Sequence, residues 1–116
     1  MTKKLELIFA AILLLGYVGL SHQACWTKWF NRDTPDKTGD WEDMDDLRRE
    51  YPGQICDNPL GIQVVTVNNE TPAQQTGQKF YVFSATQGFV CRNADQTNGR
   101  CLNYKVGFLC PCTFAA

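Results

Sequence analysis

Two sets of side chains in this sequence have types and spacings that could do chemistry. The first is six cysteines, Cys25, Cys56, Cys91, Cys101, Cys110 and Cys112. An even number of thiols in a short exported chain closes into a disulfide framework. Structural zinc asks instead for paired close spacings, and the one tight pair is Cys110-Pro111-Cys112, with His22 as the sole histidine. The second set is oxygen donors in loops: Asn31 and Asp33 with Asp40 behind them, and Asn93 with Asp95. Calcium takes about six to eight such oxygens. The EF-hand spacing is not met, so a site would have to be assembled from distant segments. On the residues alone a plainer role stands beside it, with Asn93 and Asp95 shaping a turn and Asp40 capping a helix. Nucleophilic catalysis is poorly provided for. A nucleophile needs a neighbouring base, the cysteines are expected to be oxidised, His22 stands alone, and the acids crowd a solvated helix. The sequence therefore reads as no enzyme.

The elements that would position these groups follow from periodicity. Asn31 to Gly39 is dense in turn formers. Trp41, Met44, Leu47 and Tyr51 then recur at helical spacing, with acids in the first turn and Arg48 and Arg49 in the last. This predicts one short α-helix over about 40–51, capped by Asp40, stopped by Pro52 and Gly53, and laying Trp41, Met44 and Leu47 on the core. Beyond it the period changes to two. Ile62 to Val67, Lys79 to Ser84, Gly88 to Arg92 and Cys101 to Cys110 read as antiparallel strands. The polar run Arg92 to Arg100 between the last two predicts a hairpin connection closed by its own disulfide. Asn69-Glu70-Thr71 is an N-glycosylation sequon, followed directly by Pro72. Cys25-Trp26-Thr27-Lys28-Trp29-Phe30 gathers three large rings, which are expected to form part of the interior.

Before this cluster Lys3 and Lys4 precede the apolar run Leu7 to Leu20. That order is a secretory signal peptide over residues 1–21, cut after Ser21, and the run is shorter than the roughly 20 residues that span a bilayer. Residues 22–116 then form one domain, secreted and without a membrane anchor. Losing Lys3, Lys4 and Glu6 moves the formal charge from −1 to about −2, which points to no nucleic-acid partner.

The ordered motifs WTKWFNRD, TGDWEDMDDLR, QICDNPLGIQV, TGQKF, GFVCRNADQ and GRCLNYKVGFLCPC resemble the WxxW module shared by gel-forming mucins, where it is called CysD, and by cartilage intermediate layer proteins. The resemblance covers Cys25 to Cys112. It implies a mainly β, disulfide-stapled, antiparallel sandwich-like domain without enzymatic activity, a component of mucus or matrix. It also implies a structural calcium ion, with Asn31, Asp33, Asp40, Asn93 and Asp95 as the donors this chain offers. Weak self-association, or binding of extracellular glycoproteins, comes with it, as does a C-linked mannose on Trp26. Asn69 is the expected N-glycan acceptor. Mucin versions carry more cysteines, and Val64 and Val82 stand where one of their disulfides would be, so this chain leans toward the cartilage-protein version. Six cysteines allow fifteen pairings and the sequence selects none. The working assignment is Cys25 to Cys112, Cys56 to Cys110 and Cys91 to Cys101. The alternative function is a secreted carbohydrate-binding or host-defence protein using Tyr51, Tyr81 or Tyr104 to stack on sugars.

Overall fold

A computed structural model describes residues 23–32 and 34–115; the leader, its cut after Ser21, and Asp33 lie outside the described residues. Among them the chain makes two three-stranded antiparallel sheets. The first is ordered β1 (Ala24–Trp26), β6 (Tyr104–Pro111), β3 (Gly61–Thr66). The second is ordered β2 (Gly39–Asp43), β5 (Gly88–Arg92), β4 (Val82–Ser84). One helix, α1 (Met44–Glu50), follows β2 directly. The fold is therefore mainly β, disulfide-stapled and sandwich-like.

Strand alternation explains which residues meet between the sheets. On β6, Tyr104, Val106, Phe108 and Cys110 are all buried, as are Val64 on β3 and Phe89 and Cys91 on β5. Phe89 lies 4.9 Å from both Phe80 and Tyr104, ring centre to ring centre, and 5.6 Å from Phe83. Phe30 bridges to Val106 beside β6 and packs 5.0 Å from Tyr51. Each such ring buries on the order of 150–250 Å², so this aromatic chain accounts for much of the core.

The helix begins later than periodicity predicts. Residues 40–43 pair with β5 instead, Asp40 opposite Cys91 and Glu42 opposite Phe89. Asp40 is thus no cap, and Trp41 sits half-buried in a strand with its indole N–H donating to Thr38 Oγ1 at 2.8 Å. Asp43 takes the capping role, accepting from the Asp46 amide, while Met44 and Leu47 are buried. The register has a backbone cause at Gly39. Its φ of 143° suits glycine, and a Cβ there would collide with the Cys91 carbonyl. Arg48 then ties α1 to the next loop by donating to the carbonyls of Ile55, Cys56 and Asp57.

The connection from Cys91 to Cys101 is also not a hairpin. Strand β5 belongs to one sheet and β6 to the other, so the segment crosses between sheets. The disulfides join Cys91 to Cys101, Cys56 to Cys110 and Cys25 to Cys112. Every bridge has one end on β6 or within three residues of it.

Candidate functional site

Two features stand out from the packed framework: an aromatic outer face on the first sheet and a pair of carboxylates buried between the sheets.

The outer face carries the indoles expected inside. Trp26 is 52% exposed and Trp29 37% exposed, so the core reading of the two rings is corrected. The reason is register. Cys25 pairs with Cys110 and Trp26 with Leu109, which places Trp26 on the face that alternates away from Phe108 and Cys110. The neighbouring strand position opposite Leu109 is Gly61. The tip of the Trp26 ring lies 3.9 Å from where a Gly61 Cβ would be. Trp29 rests over Gly107 in the same way, at 3.5 Å. Lys105, next in line on that face, sits 5.1 Å from the Trp29 ring and is ion-paired with Glu70 at 2.8 Å. Two glycines thus provide a low floor on which two indoles lie with much of their surface open to solvent. Leu60 and Phe114 are exposed as well.

The buried carboxylates are Asp40 and Glu42, each 0% exposed. Two residues apart on β2, they share its inward face. Asp40 Oδ2 accepts from the Tyr104 amide at 2.6 Å, bridging the second sheet to the start of β6. Glu42 Oε2 accepts from the Arg32 amide at 2.7 Å, fixing the segment after the aromatic cluster. Burial of two carboxylates is costly unless donors or a cation compensate it. Carboxylate oxygens are hard donors of the kind calcium accepts. In the sequence Glu42 falls within the predicted acidic helix and carries no inward signal; only the strand register, opposite Phe89, turns it inward.

The other candidate donors are placed differently. Asn93 Nδ2 donates to the carbonyls of Asp36 and Lys37, and its Oδ1 accepts from the Cys101 amide at 2.8 Å. It fastens the loop after Phe30 to the crossover. Asp95 makes a two-point pair with Arg92, which holds its carboxyl below the usual carboxylate range. Arg92 in turn stacks on the exposed Tyr81 ring at 3.8 Å. Asn31 is exposed, and its carbonyl accepts from the Tyr51 hydroxyl. Asp40 and Glu42 thus lie on one buried strand face, each on a different backbone amide, while Asn93 and Asp95 are held in other bonds. Among the described residues, no three Asp, Glu, His or Cys side chains gather to hold a metal.

Of the tyrosines proposed for sugar stacking, Tyr104 is fully buried and is withdrawn. Its hydroxyl donates to Gln78 Oε1 at 2.6 Å. Tyr51 is half-buried and Tyr81 is 58% exposed. Asn69 is exposed at a turn, and its Oδ1 accepts from the hydroxyls of Thr66 and Thr71. Gln78 and Gln96 carried no signal in the sequence. Each amide bonds backbone across loops, Gln78 to Arg100 and Leu102 and Gln96 to both polar groups of Lys79.

Comparison with known proteins places these features. Residues 26–110 match the model of the Mucin-2 protein WxxW repeating region. The chain is 44% identical over 87 residues to cartilage intermediate layer protein 1 of Homo sapiens, covering 74% of this chain and 7% of that protein. It is 36% identical over 86 residues to the cell migration-inducing and hyaluronan-binding protein of Mus musculus, 73% of this chain and 6% of the relative. To human mucin-5AC it is 29% identical over 95 residues, 76% of this chain and 2% of the mucin. The chain thus spans less than a tenth of the length of these relatives. Among the described residues no helix is long and apolar enough to cross a membrane.

Proposed function

Since this chain belongs to the Mucin-2 WxxW repeating-region family, we propose that it is a secreted, non-enzymatic module of mucus or matrix. It acts by binding a second copy of itself or an extracellular glycoprotein. The observation that carries this reading is the exposure of Trp26 and Trp29 on one sheet face. An open apolar patch on a rigid, disulfide-held surface favours association. Residues 1–21 act as the export leader, and Trp26, exposed on the same face, is the position for a C-linked mannose. Asn69, at an exposed turn, is the N-glycan acceptor.

Calcium stabilises the module in this reading. Asp40 and Glu42 hold the ion, with Asn31 from the preceding loop; its charge offsets the cost of burying two carboxylates. Asn93 and Asp95 serve as loop fasteners.

The test is sedimentation of the purified secreted protein over a range of concentrations, with wild type and Trp29→Ala compared. A concentration-dependent dimer that Trp29→Ala weakens supports self-association through this face; a monomer throughout sinks it. The same samples, melted with calcium and with chelator, should show a higher midpoint with calcium, and Asp40→Asn should abolish the difference.

A second reading is carbohydrate binding. One relative is named as hyaluronan-binding, and here Tyr81, backed by Arg92, presents an open ring face. A glycan array with wild type and Tyr81→Ala separates it from the first.

A further inference from the structure

We propose that Asn98 deamidates spontaneously, and that the resulting isoaspartate, with Gly99 and Arg100, is a ligand for a cell-surface receptor. That receptor takes a carboxylate on a bound divalent cation and a guanidinium in an acidic pocket.

Asn98 is the one asparagine in the chain followed by glycine. Asn98, Gly99 and Arg100 are all exposed, at the tip of the crossover between the sheets, and the next residue, Cys101, is anchored to Cys91. Gly99 has φ 74°, and nothing lies within 4 Å of where its Cβ would be. No side chain stands on the Gly99 α-carbon to hinder its nitrogen, and glycine leaves the backbone free to pucker into a five-membered ring. Asn98 Oδ1 accepts from the Arg100 amide at 3.2 Å. That bond folds the side-chain amide back along the following peptide. It also puts a donor on the oxygen that gains negative charge when the amide carbon is attacked. The opposing contact is the Gly99 N–H bond to the Gln96 carbonyl at 3.1 Å, which must open first. In an exposed turn water replaces it.

The chemistry needs only water. The Gly99 nitrogen gives up its proton and bonds to Asn98 Cγ; the carbon–nitrogen bond of the side-chain amide breaks and ammonia leaves, closing a succinimide. Water then adds to either ring carbonyl, and the ring opens to aspartate or isoaspartate. A neutral amide has become a carboxylate, one glycine away from Arg100. No side chain among the described residues pairs with the Arg100 guanidinium. A hard carboxylate oxygen suits a divalent cation, and a guanidinium suits a two-oxygen acidic pocket. Holding both on a turn tied down at Cys101 reduces the ordering cost of binding.

The test starts with the full secreted protein, aged in mildly alkaline buffer and followed by peptide mapping and enzymatic methylation of isoaspartate. Asn98 should convert several-fold faster than every other asparagine, and Gly99→Ala should slow it. If Asn98 keeps its amide while the same segment converts in the reduced, unfolded chain, the proposal is overturned, because the native turn then protects it. Aged protein coated on a surface should support cell attachment that chelator and a soluble Arg-Gly-Asp peptide abolish. Fresh protein and Asn98→Gln should not. Arg100→Ala should deamidate like wild type yet support no attachment. Equal attachment by fresh, aged and Asn98→Gln protein, or none by aged protein, overturns the receptor step. That step presumes the extracellular destination proposed above, whereas the deamidation of purified protein does not, so the two fail separately.

Discussion

Single residues here do their work by spanning the two sheets. Asp40 reaches from β2 to the first amide of β6, Asn93 joins three backbone groups of two loops, and Tyr104 sends its hydroxyl from the core to Gln78 and Thr76. The last gives a pH prediction. Burial pushes the Tyr104 phenol above its ordinary value, with the Asp40 carboxylate adding to the effect and the Thr76 hydroxyl opposing it. The unfolded chain releases that proton near pH 10 while the folded one still holds it. Stability should then fall as pH rises above about 10. Tyr104→Phe should lose about 1–3 kcal/mol at neutral pH through the missing hydroxyl bonds but show a flatter alkaline limb. Urea midpoints from pH 7 to 11 measure both. At the acid end the sign reverses. Asp36, held low by the hydroxyl and amide of Thr38, and Asp95, held low by Arg92, contribute stability above their unfolded pKa. That contribution is lost as pH falls through their depressed values.

At the scale of elements the instructive segment is residues 39–51, where a strand and a helix compete for the same apolar spacing. Trp41, Met44, Leu47 and Tyr51 do recur at helical intervals, but Asp40 and Glu42 also alternate. Pairing with β5 decides the first half of the segment. Asp43 then marks the switch, its extended backbone and side-chain acceptor starting α1. Asp43→Ala should cost about 0.5–2 kcal/mol, whereas Asp40→Ala should cost more, because it strips the Tyr104 amide of its partner inside the core. Equal losses in denaturant unfolding would argue against this division of roles. Gly39 enforces the pairing from the backbone side. Gly39→Ala combines a disfavoured φ with a clash against Cys91, and should destabilise by more than about 1 kcal/mol.

Across the whole molecule the bridges converge on β6, which is also the middle strand of its sheet. The Cys25–Cys112 bridge spans 87 residues of sequence and Cys91–Cys101 spans 10. In the chain-entropy model these are worth about 4–5 and about 2.5–3 kcal/mol. Replacing both members of each pair by serine and comparing guanidinium midpoints should show the larger loss for Cys25 and Cys112. A larger loss at the buried Cys91–Cys101 pair would mean that packing between the sheets outweighs unfolded-state entropy. The sequence by itself determined the β-rich class, the cystine framework in kind and the order of the family motifs, because residue type and local period carry those. Only the tertiary structure decided that Arg92 to Arg100 crosses between sheets, that Asp40 and Glu42 face inward and that Trp26 and Trp29 face outward. Each of these depends on strand register, and a shift of one residue in register reverses every side chain's face. Register is fixed by partners far along the chain, where no local pattern reaches.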